Sequence, residues 1–123
     1  MEAIGKKIWV IAEGYIPEYS NGPEPDFTSH ETACILNTSH REAHISLTIY
    51  FADKDPAGPY SVVVAAQRTK HLRFNDLKVP EPVPRGTDYA CVFESDVPVV
   101  IQHTRLDSRQ AENALMTTIA YSE

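Results

Sequence analysis

The chain has 123 residues, 42% of them hydrophobic and 23% charged, and a formal net charge of -6. That is the length of one domain with enough apolar content for a core, so residues 1–123 are expected to form a single globular unit rather than a disordered one. An acidic chain repels phosphate backbones and anionic headgroups, which makes nucleic acid and peripheral lipid poor first partners. In chain order, Met1 to Val10 lacks the apolar h-region and small-residue cleavage site of a signal peptide. No stretch approaches the roughly 20 apolar residues of a membrane span. Residues 8–12 form the first β-rich run, followed by a long irregular loop over 17–25 that contains Asn21-Gly22. Residues 32–36 form the second run. Residues 43–51 then alternate strictly, with Ile45, Leu47, Ile49 and Phe51 on one side and His44, Ser46, Thr48 and Tyr50 on the other, the mark of a half-buried antiparallel strand.

The loop from Asp53 to Pro59 predicts a hairpin into residues 60–66. Residues 69–75 alternate again, Leu72 and Phe74 inward against Thr69, His71, Arg73 and Asn75. Pro80, Pro82, Pro84 and Gly86 make a stiff segment suited to passing between sheets. Strands follow over 89–93, 99–104 and 115–121, and residues 107–113 are the one plausible helical turn, capped by Asp107 or Ser108. About eight short strands with such crossovers predict an all-β, antiparallel β-sandwich of jelly-roll type. The only cysteines, Cys34 and Cys91, sit in apolar runs. Two buried free thiols in a reducing, cytoplasmic setting are expected rather than a disulfide.

Catalytic patterns are not evident. Ser29-His30-Glu31 holds the letters of a triad, but strand neighbours point to opposite faces and cannot converge. His40 and His44 fall at a turn and a strand start, and no HExxH or CxxC spacing occurs, so no metal and no cofactor is expected. The chain reads as a binding protein and not an enzyme. The polar row Thr69, His71, Arg73 and Asn75, with His103 and Arg105 from a later strand, is either a solvated face or a surface whose Arg and His tips read hydroxyls and carboxylates. Trp9, the single tryptophan, is either a stacking platform for a sugar ring or part of the core. Gln102 alternates with His103 and so faces the other way. Arg105 and Arg109 either pair with Asp107 and Glu112 in a structural role or form an interface or phosphate-binding corner.

Four segments carry a resemblance: Trp9-Val10-Ile11-Ala12-Glu13-Gly14-Tyr15-Ile16-Pro17, Ser29-His30-Glu31-Thr32, residues 68–77 (RTKHLRFNDL), and the run HTRLDSRQAENAL that begins at His103. Together they resemble the sensory rhodopsin transducer family from about Trp9 to Tyr121, least well over residues 37–44. The resemblance implies a small β-sandwich that assembles as a homotetramer and signals from the cytoplasmic face of a membrane photoreceptor. It also implies kinship with small-molecule-binding domains whose expected ligands are sugars or related metabolites. Carried onto this chain, the implied pocket group is Trp9, Glu13, His30, Glu31, His71, Arg73, Gln102, His103 and Arg105. The function expected is therefore a signal-transducing or ligand-sensing binding domain. The alternatives are a stand-alone carbohydrate-binding module and, against the net charge, a DNA-binding transcriptional regulator.

Overall fold

The computed structural model describes residues 2–20, 29–109 and 114–123. The strands run in chain order as β1 (Lys6–Tyr15), β2 (His30–Asn37), β3 (Ala43–Phe51), β4 (Ala57–Val64), β5 (Arg68–Arg73), β6 (Asp88–Asp107), β7 (Ala114–Ile119) and β8 (Tyr121–Ser122). All pairings are antiparallel. The first layer has the order β4-β3-β6-β1-β8 and the second has the order β5-β2-β6-β7. The expected all-β sandwich is what forms, with two instructive departures in how its strands are cut.

The runs expected over 89–93 and 99–104 are one strand of 20 residues. Its first half pairs with β3 and most of β1, and its second half pairs with β2 and β7, with Lys6 of β1 reaching past the middle to Val99. Pro98 lacks an N–H for a ladder, which reads as a break. It sits between the last β3 partner, Ser95, and the first β2 partner, Val100, where β6 leaves one layer for the other. The run expected over 115–121 divides in the converse way. Ala120 is the crossing point, its N–H bonded to Ile101 O in the second layer, and Tyr121 then pairs with Val10 in the first.

Alternation elsewhere behaves as expected. Ile45, Leu47 and Ile49 are buried with Ala33, Ile35, Tyr60, Val62, Val64, Phe93, Val99 and Ile101, so the core lies between the layers. The hairpin from β3 into β4 forms, with β4 beginning at Ala57 rather than at residue 60. Strand β5 ends at Arg73, and Phe74–Asp76 closes as a 3-10 turn that buries Phe74 against Tyr89 and Phe93. The proline-rich stretch carries the chain from β5 in the second layer to β6 in the first, as its stiffness suggests. Asp107 ends β6 instead of opening a helix, and residues 110–113 of that expected turn lie outside the described residues, as do residues 21–28 of the expected long loop. Cys91 is buried as expected. Cys34 is only half-buried because it faces outward on β2, and both thiols are free.

Candidate functional site

Odd-numbered residues of β6 face inward without interruption, from Tyr89 through Cys91, Phe93, Val97, Val99 and Ile101 to His103 and Arg105. The last two are polar, and they stand opposite Ala33 and Glu31 of β2, which share the inner side with Ile35. The alternation that buries an apolar strand face thus drives an arginine, a histidine and a carboxylate into one end of the sandwich.

Glu31 is fully buried. Its Oε1 accepts a hydrogen bond from His103 Nε2 at 2.5 Å, and its Oε2 accepts from Arg105 Nε at 3.1 Å and from the Tyr15 backbone N–H. Arg105 Nη2 donates in turn to Glu13 Oε2 at 3.1 Å. Glu13 lies in the register shift between Ile11 and Gly14, a bulge of the kind that re-aims a side chain. Asn75 closes the far side, donating to Ser29 O at 3.0 Å and accepting from the Glu31 N–H. Below it, Ser29 Oγ accepts from the Ser108 N–H at 2.9 Å and ties the start of β2 to the end of β6. Burial works against the Arg105 charge, but Glu31 and Glu13 outweigh it and hold its pKa above the ordinary guanidinium value.

The cluster opens into a cleft of about 290 Å³ between β1 and β7. One wall is the run from Val10 to Glu13, the other runs from Met116 to Tyr121, and His103 and Arg105 stand at the back. On the cleft side, β1 beyond Val10, which pairs with Tyr121, and β7 from Met116 to Ile119 have no strand neighbour among the described residues. The walls meet at Ala120, where the chain crosses between layers.

Of the nine expected residues, Glu13, Glu31, His103 and Arg105 come together here. The other five do not join them. Trp9 is 5% exposed, its indole N–H donating to Val99 O at 2.9 Å, so it offers the cleft no stacking face. His30 and Arg73 meet on the outer side of the second layer, with Arg73 Nη2 2.8 Å from His30 Nδ1. His71 and Gln102 flank Cys34 on that same outer side. The row expected as one face is therefore two: Thr69, His71 and Arg73 point out, whereas His103 and Arg105 point in. Arg109 does pair with Asp107, its Nη2 donating to Oδ2 at 2.7 Å, and that hydrogen bond lowers the Asp107 pKa. Arg105, by contrast, turns to Glu31 and Glu13, and Glu112 lies outside the described residues.

Nothing in the sequence singles out Tyr89. Its ring fills the space over Gly14, where an added Cβ would stand 2.5 Å from ring carbons, and its hydroxyl is buried beside the Glu31 carboxylate. Burial first, and the Glu31 charge second, push its pKa far above the ordinary 10.0. Burial likewise pushes the Cys91 thiol far above its ordinary 9.0, against a hydrogen bond from the Ile11 backbone and with help from Glu31. The folded state therefore keeps both protons at pH values where the unfolded chain loses them, so alkali favours unfolding. The contribution of these two groups is expected to be level from neutral pH to about pH 9 and to fall above pH 10 by up to about 1.4 kcal/mol per pH unit for each group. Urea midpoints at pH 8, 10 and 11 measure this, and Tyr89→Phe should flatten the slope. An unchanged slope would place the loss elsewhere.

No group of three or more His, Cys, Asp or Glu side chains placed to hold a metal occurs among the described residues. No helix among them is long and apolar enough to cross a membrane. The family model described as Anabaena sensory rhodopsin transducer matches residues 4–122. A solved structure named Anabaena sensory rhodopsin transducer is 63% identical, covers 89% of this chain and 96% of its own, and superposes with a TM-score of 0.78. The crystal structure of Thermotoga maritima 1070 is 38% identical, covers 97% of this chain and 96% of its own, and superposes with a TM-score of 0.84. No curated protein sequence matches.

Proposed function

This chain belongs to the Anabaena sensory rhodopsin transducer family, and on that premise we propose that it relays a signal by binding, receiving the cytoplasmic face of a membrane photoreceptor at the cleft between β1 and β7. In this reading it works in the cytoplasm as a homotetramer and performs no chemistry of its own. The observation that carries the reading is the placement of Arg105 and His103 at the back of the cleft, both bonded to the buried Glu31. Whatever seats there touches groups tied directly into the core. Charge supports the choice of partner: cytoplasmic loops of membrane proteins carry an excess of Lys and Arg, and a chain of net charge -6 is their electrostatic complement.

The test is retention on membranes. Vesicles bearing the photoreceptor should hold the protein at low salt and release it as salt rises, whereas equal recovery on vesicles lacking the receptor would sink the proposal. A second reading, a small hydroxylated ligand such as a sugar or sugar acid, is favoured by the Thr117 and Thr118 side of the cleft and by its volume near the lower bound of ligand pockets. A thermal-shift panel of sugars and sugar acids decides it. A binder raises the melting temperature by mass action even when weak, and flat curves across the panel would remove this reading.

A further inference from the structure

Arg105 joins the buried network to the cleft, and its two sides are held differently. On the core side its Nε donates to Glu31, which is fully buried, so the guanidinium is fixed in place from within. On the cleft side Nη2 donates to Glu13 Oε2 at 3.1 Å. Nη1 donates to none of the described residues and is open to solvent. A guanidinium fixed along one edge is a ready seat for a planar oxyanion at the other. The N–H groups on its two terminal nitrogens match the two oxygens of a carboxylate.

Glu13 occupies part of that seat. Its side chain is 72% exposed and accepts from no described residue except Arg105. An ion pair that exposed contributes little and weakens as salt rises. Glu31 by contrast is locked by His103, Arg105 and the Tyr15 N–H. Of the two carboxylates on Arg105, Glu13 is therefore the one that another can replace. The exchange leaves the guanidinium with two carboxylate partners, as before, and the displaced Glu13 charge returns to water.

The rest of the cleft says what such a carboxylate is attached to. Val10 and Ala12 on one wall and Met116 and Ile119 on the other line the same space as Arg105 with hydrocarbon. The cleft measures about 290 Å³, and an apolar cavity of about 150 Å³ already takes benzene. We propose that the cleft binds a small amphipathic acid, its carboxylate on the outer edge of Arg105 in place of Glu13 and its apolar body between β1 and β7. Glu13 is then a built-in competitor that sets how tightly the acid is held. A neutral molecule of the same shape fills the walls but leaves Arg105 to Glu13. The proposal rests on the cleft being a binding site, as the receptor reading does, and adds a ligand that shares it.

The probes are 4-fluorophenylacetate and its amide, alike in size and differing in the charge of one group. Fluorine NMR titration with the full chain, in the assembly it forms in solution, should show saturable binding of the acid. The amide should bind about tenfold more weakly or worse, the difference a charge-assisted bidentate pair makes. Glu13→Gln should tighten the acid by up to about fivefold, the most that an exposed ion pair is worth, and leave the amide unchanged. Glu81→Gln removes the same charge beside Lys54 and should change neither. Arg105→Lys keeps a charge against Glu31 but lacks the fork, so it should weaken the acid about tenfold and spare the amide. Where that variant does not fold, the two glutamate variants carry the test. No saturable binding of the acid by the native protein or by Glu13→Gln overturns the proposal, and so does equal affinity for acid and amide. Equal tightening by Glu13→Gln and Glu81→Gln overturns the exchange in favour of general charge repulsion. If photoreceptor membranes retain the protein and the acid does not bind, the acid site falls and the proposed function stands. Binding of the acid without retention on those membranes leaves the acid site standing and removes the receptor reading.

Discussion

Arg105→Met should lower the unfolding free energy by about 3–5 kcal/mol, the range for removing one partner of a buried ion pair. The reason lies in what it leaves behind. Glu31 is fully buried, and among the described residues the guanidinium is the one permanent cation bonded to it. The substitution keeps most of the side-chain volume, so the loss reports charge and not a cavity. His103 and the Tyr15 N–H remain as donors to Glu31, which should hold the effect toward the lower end. Urea unfolding measures it, and the double variant Glu31→Gln with Arg105→Met is the control. With the buried charge gone, the double variant should recover a large part of the loss, because a buried ion pair replaced as a whole is often neutral. A single-variant effect below about 1 kcal/mol would mean that Glu31 is not held as a buried charge.

Trp9→Ala should cost about 3–5 kcal/mol, as for other large aromatic side chains deleted from a core. Trp9→Phe should cost less, about 1–2 kcal/mol, since it keeps ring packing but leaves Val99 O without its indole donor. That bond joins β1 to β6 just past Pro98, so the larger loss should appear in the whole cooperative transition and not as fraying of one strand. Trp9→Phe also separates core from platform. It should leave binding at the β1–β7 cleft unchanged, and a binding loss well beyond its stability loss would restore the stacking role.

Some of the site is written in the sequence, though not where the polar residues are densest. Strict alternation from Tyr89 to Arg105 places His103 and Arg105 on the side of Val97, Val99 and Ile101. Followed through Pro98, that pattern alone turns both side chains inward. Pro98 hides it, because a proline mid-run signals the end of a strand, and only the change of layers makes it tolerable there. Glu31 shows the same difficulty in reverse. Its neighbours two and four residues on, Ala33 and Ile35, are core, so its inward direction is legible, but a carboxylate at such a position reads as the solvated end of a strand until its partners are known. Tyr89 gives less warning still, since an aromatic in a strand is ordinarily core, and its proximity to Glu31 depends on which strands become neighbours. Likewise, His71 and Arg73 share a face with each other as alternation requires, yet nothing local tells that this face is the outer one.

The sequence by itself determined the class of the fold, the inward residues of β3, the hairpin into β4 and the family. These are local properties: the period of two follows from the pleat of the backbone, turn residues act through their own dihedrals, and long residue runs match or do not. Only the tertiary structure decided that β6 serves both layers, that Glu13, Glu31, His103 and Arg105 form one network, and that Trp9 belongs to the core. The contacts responsible join residues 72, 74, 90 and 92 positions apart. Alternation gives each side chain a direction relative to its own strand, and only the packing of one layer on the other turns that direction into inside or outside.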